Sequence, residues 1–528
     1  MLRRPFFLCT SVLMLMSASC GGGGNDVAEV SLAVAGDSTT VPDAFAMAAV
    51  LPGASALTNR GYSTATQYPT DFCATGNYPE QWEWRPENAN KQPGPATSGQ
   101  PAVRHVRAGK VIATYAKLSG YRSAPNNVDA HDTSVGPFRR FPYLQWQEGD
   151  VFEVMPAVYE GEDQQIYIGP NVLNDAAYAA RQSVVPKNIT IRGITVNGVR
   201  PVIKLPATGA SNANFGQALI YIGAAENITI ENLDVSSSTT GLGGLGKAGI
   251  YINGGKNISL KNVRVSGFSN KSANGIFATG LNSGTLLLSG VELANNGGGS
   301  GPEHNIYVNA SSVDPAYTVK MVGSWSHDSV YGHLFKSRAQ SNYLEGNYFQ
   351  GSKSKGTGDM RESWMVDIPE GGAFTARNNI FSKNKSGDAT NGAAITYGVE
   401  RAVGTFDTLR PWSLRIENNT FVAFTRYFDN QSHPVYPMFI KTGVPVLPAN
   451  LSVKRNLFVG YCQTPTNNLN QQGYRGEDYQ IVDFNAIDTA FRPRLPVMAG
   501  TLQLAGSQTY FHRMTTIWRT TAAIGAQD

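Results

Sequence analysis

Apolar and polar residues alternate in short runs that recur down most of this chain. The runs are NITIRGITV (188–196), NITIENLDV (227–235), NISLKNVRV (257–265), TLLLSGVEL (285–293), YTVKMVGSW (317–325), NYLEGNYF (342–349), FTARNNIF (374–381), LRIENNTF (414–421) and LSVKRNLF (451–458). Each is apolar at every second position, breaks at a Gly, Asn or similar residue, and resumes. A period of two buries one face of a strand. A break residue that tolerates positive φ turns the chain. The break residues are Gly193, Asn232, Asn262, Gly290, Gly323, Gly346, Asn378, Asn418 and Arg455, spaced 23 to 40 apart, with the variation falling in the intervening loops. No helical stretch long enough for crossovers separates the strands, which argues against an α/β sheet. The prediction is an all-β solenoid of stacked coils with parallel strand pairing. Asn suits the bends because its amide can hydrogen-bond the same side chain one coil away.

A second strand accompanies the repeats: LIYIG (219–223), GIYIN (249–253), GIFAT (275–279), NIYVN (305–309) and LFKSR (334–338). With Ile220, Ile250, Ile276, Ile306 and Phe335 facing the core, alternation turns Tyr221, Tyr251, Phe277, Tyr307 and Lys336 outward, one above another. Later coils add Asp367 and Lys441 to the file. Rings stacked along a sheet form a platform for sugars, whose apolar C–H faces match an aromatic face while the phenol oxygen can still hydrogen-bond. Asn305 and Asn309 flank Tyr307 and join Asp367 as candidate sugar contacts. The competing reading is that the rings pack beneath a loop or the N-terminal segment.

Seven His serve the whole chain, and three of them fall between Glu303 and Arg338. His304 and His333 each stand three residues before a file member, Tyr307 and Lys336. They are candidate catalytic groups, or else satisfy buried backbone groups at a coil corner. Arg338 follows Lys336 outward, and Arg361 comes about one coil later. His327-Asp328 can be a surface turn pair. Glu303, Asp328 and Asp367 could offer oxygens to Ca²⁺, but they form no dense cluster, so no cofactor is called for.

Composition narrows the function classes. Charged residues are only 16%, and Gly is abundant, as in an extracellular β-rich protein. Removing Arg3 and Arg4 with a leader lowers the formal charge from +4 to +2 and leaves no basic run, which excludes a nucleic-acid partner. Residues 1–20 read as that leader, with Arg3 and Arg4 before an apolar stretch from Phe6 to Met16. Ser17-Ala18-Ser19-Cys20 resembles a bacterial lipobox, with Ser17 where Leu is usual. The resemblance implies lipidation at Cys20, a membrane link through that anchor alone, and an outer-membrane or secreted location. A soluble secretory leader is the alternative. Of four cysteines, Cys73 and Cys462 remain after the leader and anchor, as one bridge or two separate thiols. Residues 21–100 are a tether and irregular region, 101–465 the solenoid, and 466–528 a C-terminal cap.

Across roughly 145–465 the repeats resemble the right-handed parallel β-helix of pectate-lyase-like proteins. GDVFEVMPAVYEG (149–161) is similar to the opening coil of many secreted members, and AAIGAQD (522–528) to their closing segment. Lys336-Ser337, Asn342, GNYF (346–349) and Arg361 resemble the pattern of β-helix alginate lyases. That resemblance implies β-elimination with Lys336 as base and Arg361 as acid, although Glu362-Ser363 replaces the His-Gly of that family. Such a lysine must be pulled from near ~10.4 toward ~7–8, by repulsion from Arg338 and Arg361. Should Lys336 be unperturbed, Tyr307 or His304 becomes the better base. The paired aspartates, Gly-His-Gly and Arg-Ile-Lys of polygalacturonases are missing, as are pectin methylesterase motifs. The expectation is a monomeric lyase on an acidic polysaccharide. A C5-epimerase, a glycoside hydrolase or a non-catalytic glycan-binding surface or export protein are the alternatives.

Overall fold

The computed structural model describes residues 102–115 and 147–160, then 166–459 with breaks in the loops, and short strands at 466–467, 480–482, 507–511 and 515–519. Those residues wind as an all-β parallel β-helix. Three sheets of twelve, eleven and ten strands carry nearly all of the described strands. One coil shows the plan. Ala218–Ile222 lies in the ten-stranded sheet, Glu226–Glu231 in the twelve-stranded sheet and Asp234–Ser237 in the eleven-stranded sheet. The next coil repeats it with Ala248–Asn253, Lys256–Lys261 and Arg264–Ser266, every strand pairing in parallel with its predecessor.

The apolar positions meet inside. Ile191, Ile230, Leu260, Leu288, Met321 and Leu344 stack down the twelve-stranded sheet, and Ile220, Ile250, Ile276 and Ile306 down the ten-stranded one, all buried. The inner column of the eleven-stranded sheet changes along its length. It runs Ile203, Val235, Val265 and Leu293, passes through Ser326, and continues as Phe349, Phe381, Phe421 and Phe458. Those four rings stack at 5.2, 4.9 and 5.3 Å between centroids.

Eight of the nine break residues have positive φ, from 52° at Asn262 and Gly323 to 61° at Gly290 and Gly346. Gly193 does not. It is glycine because a Cβ there would lie 1.9 Å from the Asn232 carbonyl oxygen. Side-chain amides link successive coils: Asn227 donates to Asn188 (2.8 Å), Asn257 to Asn227 (3.1 Å) and Asn262 to Asn232 (2.6 Å). A second, buried ladder stands one residue past the bend. The Oδ1 atoms of Asn379, Asn419 and Asn456 each accept from the backbone N–H of Asn347, Asn379 and Asn419, at 2.9, 3.0 and 3.0 Å. Asn347, Asn379, Asn419 and Asn456 return their amides to carbonyls of Met321, Leu344, Ala376 and Ile416. The ladder satisfies interior backbone groups that would otherwise cost about 1–3 kcal/mol each.

At the N-terminal end an antiparallel hairpin, Val103–Arg107 with Lys110–Tyr115, pairs on Val151–Val154. The Gly149-Asp150 turn fixes it: buried Asp150 holds His105 Nε2 at 2.6 Å and Arg107 Nη2 at 2.8 Å. Parallel stacking continues past residue 465, where 466–467 adds to 438–440 and 480–482 to 457–459. Among the described residues, no helix is long and apolar enough to cross a membrane. The leader, Cys20, Cys73, Cys462 and residues 21–100 lie outside the described residues.

Candidate functional site

The ten-stranded sheet carries the predicted file in register. Tyr221 pairs with Tyr251, Tyr251 with Phe277, Phe277 with Tyr307, Tyr307 with Lys336, and Lys336 with Asp367. Thr396 follows Asp367 and precedes Lys441, whose side chain is outside the description. Centroids of the four rings are 5.3, 5.5 and 5.3 Å apart, the first pair edge-on and the others stacked. Tyr221, Phe277 and Tyr307 are half-buried, whereas Tyr251 sinks to 6% exposure between its neighbours. The usable surface is therefore a ribbon of ring edges and partial faces. Lys336 Nζ closes it, 5.7 Å from the Tyr307 ring centroid.

Beyond the rings the file becomes a network of ions. Lys336 Nζ lies 3.0 Å from Asp367 Oδ2 and 2.8 Å from Glu400 Oε1. Arg338 donates from Nε to Tyr307 Oη at 3.0 Å, from Nη1 to Glu370 at 3.1 Å, and from Nη2 to Glu400 Oε2. Asp367 is wholly buried and also accepts from Thr396 Oγ1 at 2.5 Å. Glu400 sits on the turn after Ile395–Tyr397, tied down by its N–H to the Pro369 carbonyl at 3.1 Å.

This arrangement argues against the role expected for Lys336. Burial alone would lower its pKa, but Asp367 and Glu400 outweigh burial and hold the ammonium above its ordinary value. The neighbour to which the sequence assigned repulsion, Arg338, is itself matched by carboxylates. Held between two carboxylates, Lys336 lacks the lowered pKa that the base role requires. The carboxylates show the complementary effect: burial would raise Glu400, yet hydrogen bonds from Lys336 and Arg338 bring it below its ordinary value. Burial raises Asp367, and the pull of Lys336 and Thr396 does not fully offset it.

The histidines form a second stack behind the file. His304 and His333 rings are 4.5 Å apart, and His333 and Trp364 5.2 Å apart. His304 Nδ1 accepts the His333 backbone N–H at 2.9 Å, and His333 Nδ1 accepts that of Trp364 at 3.1 Å. Gly332 makes the first bond achievable, since its φ is 77° and a Cβ would meet His304 Nδ1 at 2.4 Å. Burial, with the charges of His333, Lys336 and Arg338, pushes His304 well below its ordinary value. A neutral ring whose Nδ1 accepts carries its proton on Nε2, so His304 is a donor and not a base. His333 Nε2 stands 3.5 Å from Asp367 Oδ2, joining the two stacks.

Asn305 leaves the list of sugar contacts. It is 0% exposed, and its amide donates to Ser326 Oγ (3.1 Å) and the His327 carbonyl (2.9 Å) inside the solenoid. Asn309 stays half-buried at the end of Ile306–Val308. Arg361 opens a two-residue strand paired to Tyr331–Gly332, and its side chain is outside the description. Glu303, Asp328 and Asp367 do not converge. Asp328 instead holds His327 Nδ1 at 2.7 Å on the eleven-stranded sheet, where Glu292 lies 3.5 Å from Nε2. Among the described residues no group of three or more His, Cys, Asp or Glu is placed to hold a metal. Sequence reasoning missed Glu370 and Glu400. They lie in corners, where alternation stops predicting direction.

No family model matches the chain, and no curated protein does. Among solved structures, ORF18 of Geobacillus virus E2 is similar at 9% identity with a TM-score of 0.32, over 63% of this chain and 52% of that one. This chain thus spans about half of that protein, a likeness too distant to bear on function.

Proposed function

We propose that the outer face of the ten-stranded sheet binds an acidic polysaccharide lengthwise, and that its Tyr307–Lys336–Arg338 end cleaves the chain by β-elimination. The observation that carries this reading is a continuous file of rings, one per coil, ending on two cations. Sugar rings lie along Tyr221, Phe277 and Tyr307, and a uronate carboxylate reaches Lys336 and Arg338. Neutralising that carboxylate acidifies the adjacent C5 proton. Tyr307 is the proton-transfer group, acting as its phenolate, because its oxygen lies on the Arg338 guanidinium beside the position of the carboxylate. The phenolate takes the C5 proton, the electron pair forms the C4–C5 double bond, and the C4–O bond breaks. The leaving oxygen recovers that proton from the phenol.

Hydrolysis is the second reading. Its supporting observation is that Asp367 and Glu400 bracket Lys336 with pKa values displaced in opposite directions, a common sign of paired acid and base. Incubating the protein with uronate polymers and following the ultraviolet absorbance of the new double bond separates the two. New reducing ends on a neutral glycan, without that absorbance, would overturn elimination. Tyr307→Phe is expected to lower elimination by about 10²–10⁴-fold with binding retained. Unchanged turnover in that variant removes Tyr307 from the chemistry.

A further inference from the structure

Three carboxylates surround Lys336 and Arg338, and they differ in how they are held. Asp367 has no exposed side-chain surface, Glu370 has 20%, and Glu400 has 40%. Glu400 is also the one that touches both cations, Oε1 on Lys336 and Oε2 on Arg338. A carboxylate that divides its oxygens between an ammonium and a guanidinium is bound as a ligand carboxylate would be. The same guanidinium holds Tyr307 Oη, so this position lies one residue's reach from the phenol.

We infer that Glu400 occupies the subsite of the substrate's carboxylate and is exchanged for it when an acidic glycan binds. The inference rests on the acidic-glycan reading above. Exchange of one carboxylate for another keeps the charge balance around Lys336 and Arg338, while Asp367 and Glu370 hold the two cations in place throughout. A neutral sugar at this position offers no such replacement, so each cation would give up the shared Glu400 carboxylate and keep only Asp367 or Glu370. Glu400 therefore acts as a specificity residue: it admits uronates at the cost of competing with them, and it excludes neutral sugars from that one subsite.

The test compares wild type, Glu400→Gln and Glu400→Ala by calorimetric titration with oligogalacturonate, oligomannuronate and a neutral xylan oligomer, with melting curves to confirm folding. If Glu400 leaves the cations free about one-tenth of the time, removing it tightens uronate binding about tenfold. The gain should shrink as salt is added and appear in KM rather than kcat. Binding of the neutral oligomer along the rings should not change. If wild type binds uronates and the variants bind them equally or more weakly, the exchange is refuted while the acidic-glycan reading survives. An equal gain for the neutral oligomer also refutes it, because Glu400 would then only shield the rings. If no form binds any uronate, the acidic-glycan reading falls and the inference with it.

Discussion

The upstream coils, residues 218–309, and the downstream coils, residues 335–459, share one plan but carry their aromatic stacks differently, outside the ten-stranded sheet in the first and inside the eleven-stranded sheet in the second. Upstream, the rings of Tyr221, Tyr251, Phe277 and Tyr307 stand outside, over a core of Ile, Leu and Val. Downstream, Phe349, Phe381, Phe421 and Phe458 stack inside, beside the buried Asn ladder, and the outer file becomes Lys336, Asp367 and Thr396. Coil spacing is the same for both sets, so both stack. Burial separates them: the inner rings have lost their contact with water, and three of the outer ones keep part of theirs. An inner stack is needed for stability. A half-exposed stack retains apolar surface that a ligand can cover, and in the proposed function the ions beside it supply selectivity.

The largest test of that contrast removes one ring from each stack. Phe381→Ala leaves a cavity in a close-packed core and should cost about 3–5 kcal/mol in denaturant unfolding, whereas Phe277→Ala should cost about 1–2 kcal/mol. The order should reverse in glycan affinity, which Phe277→Ala weakens and Phe381→Ala spares in protein that remains folded. Equal losses of stability would mean that the outer rings are core by another route.

Lys336→Met probes the charged half. It strands Asp367, which has no exposure, and should cost about 3–5 kcal/mol. Adding Asp367→Asn removes the buried charge, keeps an acceptor for Thr396, and should recover a substantial part. A single variant as stable as wild type would show that the pair is not the anchor of this half.

The smallest effect is on pH. His304 is depressed in the fold, so its contribution is present above about 6.5 and lost as pH falls and the unfolded chain takes up the proton. His327 runs the other way. Burial would lower it, but Asp328 and Glu292 raise it, so its contribution is full below about 6.5 and lost as pH rises through the raised value. Unfolding midpoints of His304→Asn should lose the acid-side slope, and those of His327→Gln the alkaline-side slope. Parallel profiles in all three proteins would contradict both assignments.

Fold and file were legible in the sequence because a strand's period of two is rigid. Once Ile306 faces inward, Tyr307 must face out, and stacking then sets which residues are neighbours across coils. The same rule misled at Asn305, which looked like a groove residue beside Tyr307 but turns inward to serve Ser326 and the His327 carbonyl. It was silent about the ladder of Asn347, Asn379, Asn419 and Asn456, because alternation sets which way a side chain faces and not which backbone groups it serves one coil away.

By itself the sequence determined a parallel solenoid, the turns at Asn and Gly, and the order of Tyr221, Tyr251, Phe277, Tyr307, Lys336 and Asp367 along one face. These follow from local alternation and from positive-φ tolerance, both properties of neighbouring residues. Only the tertiary structure decided which charges surround Lys336. Asp367 is 31 residues away in the chain and Glu400 64, and Glu400 arrives on a corner whose direction no periodicity encodes. Electrostatics depends on distance through space, and folding alone sets that distance.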